Sequence, residues 1–332
     1  MCCLYGILDY KQKLSNWQKN HLLRKLSIAC EKRGTDATGI AYNRNGRMEI
    51  HKKPLPAHSF RQKIPHGVNV VMGHTRLTTQ GNEKINRNNH PFRGQCGKTA
   101  FALAHNGVLY NEMKLRREFE LPLTSIETDS YAAVQMIEKT GTFDLKAIQT
   151  MAEEVEGSFC FTLLDNQDNL YLVKGNNPLT IYHFERLGFY LYASTEEILK
   201  KGIQKAGFGY QQYEKIEIDM GDILILKSNG EVERASFDTK KLDCYESFWF
   251  GSPRQYCSCL DTTSFRLTDI KGANYGTYLE SLIDYAANVG ISEGEVLFLY
   301  ENGFEEEEIE ALLYSPEILR EYIDEMIEME YA

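Results

Sequence analysis

FCFTLLDNQDNLYLV at residues 159–173 and LTIYHFERLGFYLY at residues 179–192 are two strand–turn–strand runs placed back to back. In the first, residues 159–164 and 170–173 flank a polar turn; in the second, residues 179–183 and 189–192 flank Gly188. Residues 223–226 and 232–235 repeat the arrangement around Asn229-Gly230, and Asn45-Gly46 separates two further strand-like runs. Asn-Gly between apolar runs marks a hairpin, because both central residues of the tight turn take a positive φ. Working outward, residues 2–8, 68–72 and 99–104 read as strands. Helical spacing appears at about residues 17–32, with Leu22, Leu23, Leu26 and Ala29 on one face and Gly34 as the stop, and again at 129–139 and 145–155. Short antiparallel strands interrupted by a few helices predict an α+β fold with stacked sheets.

The character changes at about residue 238. Residues 241–275 are irregular and rich in Cys, Ser, Thr and aromatics, and from Tyr278 the pattern turns helical, with Leu319, Tyr322, Ile323, Met326 and Ile327 at amphipathic spacing. The expected division is a domain over 2–237 and an irregular connector with an acidic helical extension over 238–332. Residues 291–332 carry thirteen Glu, one Asp and one Arg, so the remainder of this 332-residue chain of net charge −10 sums to +3. The acidity belongs to the tail, and no basic nucleic-acid face is indicated.

Hydrophobic residues at 42% support a packed core, yet no apolar run reaches the length that spans a bilayer. The first residues lack the basic and apolar regions of a signal peptide. Eight irregularly spaced cysteines do not form a disulfide framework, so the expectation is a cytoplasmic protein with reduced thiols. Cys244, Cys257 and Cys259 have poor spacing for zinc and no evident fourth ligand, and are read as plain thiols. GxSxG, HExxH, GxxxxGK[ST] and complete GxGxxG motifs are absent.

Cys2 directly follows the initiator methionine. Removal of Met1 would give one residue both a thiol and a free α-amine, a nucleophile and its own base. Four polar clusters accompany it: Arg33-Gly34-Thr35-Asp36, Gly73-His74-Thr75-Arg76-Leu77-Thr78-Thr79-Gln80-Gly81, His105-Asn106-Gly107 and Glu127-Thr128-Asp129. The second and third are read as following buried strands and the fourth as opening a helix, places where sites are commonly built.

In this order the segments resemble the class II glutamine amidotransferase domain, a branch of the N-terminal-nucleophile hydrolases. The family pattern is an N-terminal Cys, RGxD, GHTR followed by T-x-G, HNG and ETD. The resemblance runs through Gly157-Ser158-Phe159, Asn177-Pro178-Leu179 and Met220-Gly221-Asp222, covering residues 2–237. It implies a four-layer αββα sandwich of two antiparallel sheets, with the C-terminal helices as an appendage. It also implies an amidohydrolase that cleaves the side-chain amide of L-glutamine through a thioester on Cys2. Asn106 and the Gly107 backbone N–H would stabilise the oxyanion, Arg76 would hold the substrate carboxylate, Asp129 would accept from its ammonium, and Leu77 and Thr79 would line the pocket. No metal or organic cofactor is implied for this half-reaction. Asp36 is expected to hold a turn with Arg33, and His74, His90 and His105 to make supporting hydrogen bonds.

The chain departs from the family pattern at Cys3, where Gly is usual, at Leu77, where many members carry an aromatic lid, at Gln80 and at Tyr131. Family members usually carry an ammonia-consuming domain, and no sugar-isomerase-like, phosphoribosyltransferase-type or adenylating motif is found here. The leading expectation is a glutaminase component that serves a separate ammonia-accepting synthase protein. The alternatives are a stand-alone γ-glutamyl or small-amide hydrolase and a non-catalytic glutamine-binding sensor or scaffold. The plain alternative for Arg76 and Asp129 is a structural ion pair.

Overall fold

The computed structural model describes residues 2–61, 63–242, 277–301, 306–314, 316, 319–320 and 323. The chain divides into two units, Met1–Tyr256 and Cys257–Ala332.

In the first unit the described residues form two antiparallel sheets. One has seven strands: β1 (Cys3–Asp9), β2 (Ala37–Arg44), β3 (Arg47–Lys53), β4 (Val70–Arg76), β9 (Thr180–Phe184), β10 (Phe189–Ala193) and β11 (Glu214–Ile216), in the order β11-β9-β10-β1-β4-β2-β3. The other has six: β5 (Phe92–Cys96), β6 (Thr99–Leu109), β7 (Gly157–Asp165), β8 (Leu170–Lys174), β12 (Asp222–Leu226) and β13 (Val232–Ser236), in the order β13-β12-β8-β7-β6-β5. The Asn45-Gly46 turn joins β2 to β3 with φ of 51° and 72°, the conformation the sequence calls for.

Strand periodicity explains the layering, because alternate side chains face opposite sides. On β1, Cys3, Tyr5 and Ile7 pack with Leu22, Leu23 and Leu26 of helix α1 (Asn16–Ala29) and Ile198, Leu199 and Ile203 of α5 (Glu196–Lys205). Their neighbours Leu4 and Leu8 face the second sheet, meeting Ala102, Ala104, Cys160 and Leu172. The outer face of the second sheet, with Phe101, Leu103, Phe161 and Leu163, packs on α2 (Glu112–Glu118), α3 (Tyr131–Lys139) and α4 (Leu145–Glu154). The order is thus helix, sheet, sheet, helix: the expected α+β sandwich in four layers. Each fully buried aliphatic or aromatic side chain in these layers contributes about 1.5–3 kcal/mol of transfer free energy.

Two strands run further than the sequence suggests. β4 continues through Gly73-His74-Thr75-Arg76, and β6 through His105-Asn106-Gly107. Residues 77–81 thus follow β4 as expected, while the first half of the 73–81 motif and all of His105-Asn106-Gly107 lie on the strands. Their side chains turn polar while their backbones stay in the ladder: Cys3 pairs with Thr75, and Asn106 with Cys160.

In the second unit, α6 (Thr277–Asn288), α7 (Glu293–Glu301) and α8 (Glu306–Leu313) bury Leu279, Leu282, Ala286, Val296, Leu299, Ile309 and Leu313 together with Leu319 and Ile323. The irregular connector, Cys244, Cys257 and Cys259, and Tyr322, Met326 and Ile327 lie outside the described residues. Among the described residues no helix is long and apolar enough to cross a membrane, and no cluster of His, Cys, Asp and Glu could hold a metal ion.

Candidate active site

The inter-sheet layer changes from apolar to polar at one end. Leu4 on β1, Met72 on β4 and Ala104 on β6 belong to its apolar part. Two residues along, on the same faces, stand Cys2, His74 and Asn106, and then Arg76 beyond His74. Strand alternation alone thus brings distant motifs to one place.

Cys2 is 7% exposed. Its thiol donates to the Leu77 carbonyl oxygen at 3.5 Å, and its own carbonyl accepts from Arg33 Nε at 3.1 Å. Burial pushes the thiol above its ordinary value, while the Leu77 bond and the Arg76 guanidinium act in the opposite direction and Asp129 reinforces the rise. The resting sulfur is therefore protonated, and attack requires a proton acceptor.

Arg76 and Asp129 are each 2% exposed. Arg76 donates from Nη1 to Asn89 Oδ1 at 2.7 Å and from Nη2 to the carbonyl oxygens of Gln80 and, at 3.5 Å, Gly81. The loop after β4 is thereby folded over the guanidinium. Leu77 is half-buried in that loop, whereas Thr79 is exposed, and no described hydrogen bond ties Thr79 to Cys2, Arg76 or Asp129. Asp36 holds the same loop by accepting from Thr78 N–H at 2.6 Å.

Asp129 accepts from Leu109 N–H at 2.6 Å on Oδ2 and from Ser130 N–H at 2.7 Å on Oδ1. A carboxylate has about four acceptor positions, so capacity remains for a ligand cation. Among the described residues no ion pair joins Arg76 to Asp129, which removes the plain structural reading of the two. Both charges act electrostatically on the Cys2 thiol, in opposite directions.

Asn106 is fully buried. Its Nδ2 donates to Ser194 Oγ at 3.4 Å, its backbone oxygen accepts from Asn177 Nδ2 at 2.8 Å, and its Oδ1 has no partner among the described residues. Gly107 has φ of 142°, and a Cβ there would stand 1.9 Å from the Ser158 carbonyl oxygen. Glycine is required at this position by the neighbouring strand, whatever approaches from the other side.

The three histidines are buried, and desolvation holds each below its ordinary value: His74 at about 3, His90 well below, and His105 lowered. His74 Nε2 donates to the His105 carbonyl at 2.9 Å, and His105 Nε2 to the Ser158 carbonyl at 3.2 Å. The Ser130 hydroxyl lies between His105 and Asp129, 2.8 Å from His105 Nδ1 and 3.1 Å from Asp129 Oδ1. His90 departs from the expectation. It packs 4.3 Å from His74 and 4.4 Å from Phe92, centroid to centroid, and neither ring nitrogen has a partner among the described residues. Its role is apolar filling.

The departures from the family pattern also find places. Cys3 is fully buried on the helix side of its sheet, turned away from Cys2, and its thiol donates to the Leu4 carbonyl oxygen at 3.5 Å. Gln80 donates from Nε2 to Glu112 Oε2 at 3.0 Å, and Tyr131 packs edge-on against Phe92. Ser194 went unnoticed in the sequence. It accepts from Leu4 N–H at 2.8 Å and joins residues 190 and 88 positions away, for which no local pattern exists.

Residues 74–201 match the family model described as glutamine amidotransferase domain. Two curated relatives are named glutamine–fructose-6-phosphate aminotransferase [isomerizing]. The one from Geobacillus kaustophilus (strain HTA426) is 30% identical over 189 residues, and the one from Streptococcus pyogenes serotype M1 is 31% identical over 192. Each match covers 54% of this chain and 30% of the relative, so the chain spans about a third of those proteins. Among solved structures, the glutamine phosphoribosylpyrophosphate amidotransferase from B. subtilis complexed with ADP and GMP superposes with a TM-score of 0.55 at 21% identity. A structure described as the allosteric regulatory enzyme of purine biosynthesis gives 0.57 at 20%. Each covers 72% of this chain and 50% of that one, and at this identity they show a shared fold. The family match spans Arg76, Leu77, Thr79, Asn106, Gly107 and Asp129 but begins after Cys2.

Proposed function

We propose, for a chain that carries a class II glutamine amidotransferase domain, that it hydrolyses the side-chain amide of L-glutamine with Cys2 as the nucleophile. The observation that carries this reading is the pair of buried opposite charges, Arg76 and Asp129, both acting on one buried thiol and not paired with each other. An α-amino acid fits that gap. Its carboxylate takes the guanidinium hydrogens left free by Asn89, Gln80 and Gly81, and its ammonium takes the unused acceptor positions of Asp129. Leu77 and Thr79 line the side-chain path. A substrate lacking either charge would leave a buried ion uncompensated.

Removal of Met1 gives Cys2 an α-amine whose unperturbed pKa is about 7.7–8.0. The amine takes the thiol proton as sulfur adds to the amide carbon. The Asn106 amide and the Gly107 N–H stabilise the oxyanion, each such donor being worth about 2.7–4 kcal/mol. Collapse breaks the C–N bond, and the amine returns the proton so that ammonia leaves. Water then cleaves the thioester, releasing glutamate and restoring the thiol. The neutral, backbone-bonded His74 and His105 are poor competitors for the role of base.

We assign this chemistry to residues 2–237. Residues 238–332 would serve attachment to a separate protein that consumes the ammonia, as the curated relatives are aminotransferases about three times the length of the matched segment. Intact-mass measurement together with glutamate release tests the reading. The expected result is a mature chain without Met1 that turns over glutamine faster when its acceptor synthase is present. A processed chain inert toward glutamine would sink it, and full turnover with Met1 retained would remove the α-amine from the mechanism.

A further inference from the structure

Ser194 follows β10 and is fully buried at the polar end of the inter-sheet layer. Two bonds tie it to the first sheet. Its N–H donates to the Leu4 carbonyl at 3.0 Å, and its Oγ accepts from Leu4 N–H at 2.8 Å. A third bond crosses to the second sheet, where Oγ accepts from Asn106 Nδ2 at 3.4 Å. The hydroxyl oxygen accepts twice, from Leu4 N–H and from the amide, one bond for each lone pair. The accepted bond holds the NH2 end of Asn106 toward the hydroxyl. The second Nδ2 hydrogen stays free, and Oδ1 is turned into a place where it meets no donor among the described residues.

We propose that Ser194 is a positioning residue that fixes the orientation of the Asn106 amide against the nucleophile's strand. The inference rests on the glutaminase reading above. Asn106 carries a donor and an acceptor related by a half-turn of the amide, and only the donor end stabilises an oxyanion; the reversed amide would repel it. Nothing else among the described contacts discriminates between the two ends, since the other printed bond of Asn106 is made by its backbone oxygen. Leu4 lies two residues beyond Cys2, so the same hydroxyl sets the distance between nucleophile and donor across two sheets.

Glutamate release by Ser194→Ala, measured in the wild-type and the Asn106→Ala backgrounds, tests this. Alone, Ser194→Ala is expected to lower kcat about ten- to a hundredfold, part of the loss caused by deleting an oxyanion donor. KM for glutamine should stay within about twofold, because Arg76 and Asp129 are untouched. In the Asn106→Ala background the same change should cost nothing further, as two residues acting through one contact are not additive. Equal losses in both backgrounds, or wild-type kcat in the single variant, would overturn the proposal. Should Ser194→Ala not fold, Ser194→Cys, a weaker acceptor of similar size, takes its place with the same outcomes. A wild-type chain that releases no glutamate overturns the glutaminase reading itself, a result separate from any difference between backgrounds.

Discussion

The guanidinium of Arg76 and the carboxylate of Asp129 are both buried and both act on the Cys2 thiol, each held by its own loop rather than by the other. Asn89 and the Gln80 carbonyl hold the cation; Leu109 N–H and Ser130 hold the anion. Charges kept apart in this way are available to a zwitterion.

Replacing the sulfur separates chemistry from binding. Cys2→Ser is expected to reduce glutamate release by at least about a thousandfold, since the thiol is the only group assigned to form the covalent intermediate. Glutamine should still raise the melting temperature of this variant, as Arg76 and Asp129 remain. Turnover near the wild-type rate would reassign the nucleophile.

Asp129→Asn keeps an acceptor for Leu109 N–H at nearly the same volume and removes the charge. Loss of a charge-assisted contact of about 1.5–3 kcal/mol corresponds to a KM for glutamine raised roughly ten- to a hundredfold. Steady-state kinetics read this directly, and an unchanged KM would free Asp129 from the ammonium role.

Gly107→Ala places a methyl group where the Ser158 carbonyl oxygen already stands and forces alanine to φ of 142°. The expected cost is above about 2 kcal/mol, a large share of a domain's stability. Chemical denaturation should show it as a lower midpoint, even with no substrate present.

Acid should weaken the fold in a specific window. His74, His90 and His105 are held neutral in the folded chain and regain ordinary values on unfolding. Below about pH 6.5 the unfolded state therefore binds more protons, so stability falls as pH falls, by up to about 1.4 kcal/mol per pH unit for each ring. For His74 the loss continues to about pH 3. Denaturant midpoints from pH 7.5 to 5 measure the slope. His90→Phe, which replaces a ring without hydrogen bonds among the described residues, should make it shallower. An unchanged slope would mean that His90 is charged in the fold.

The hairpins, the helix faces and the α+β class were legible from residues 2–237 because they depend on local rules. Apolar alternation marks a strand facing two environments, and Asn-Gly demands its turn. The motifs of the proposed site were legible for a related reason: Arg76, Asn106, Gly107 and Asp129 are residue types that the proposed chemistry would use, each in a short recognisable context. The ends of β4 and β6 were not legible. A polar side chain looks like a loop in one dimension, whereas the backbone of Thr75 or Asn106 obeys the partner strand.

Sequence alone thus determined which side chains each strand offers to each face, and with them the class of the fold and the chemical vocabulary of the site. Tertiary structure alone decided that Arg76 and Asp129 stay unpaired, that Cys3 points away from Cys2, that His90 is packing, and that Ser194 meets Asn106. These facts turn on distances between residues far apart in the chain. Such distances arise when two sheets stack and exclude water, and no local pattern encodes them.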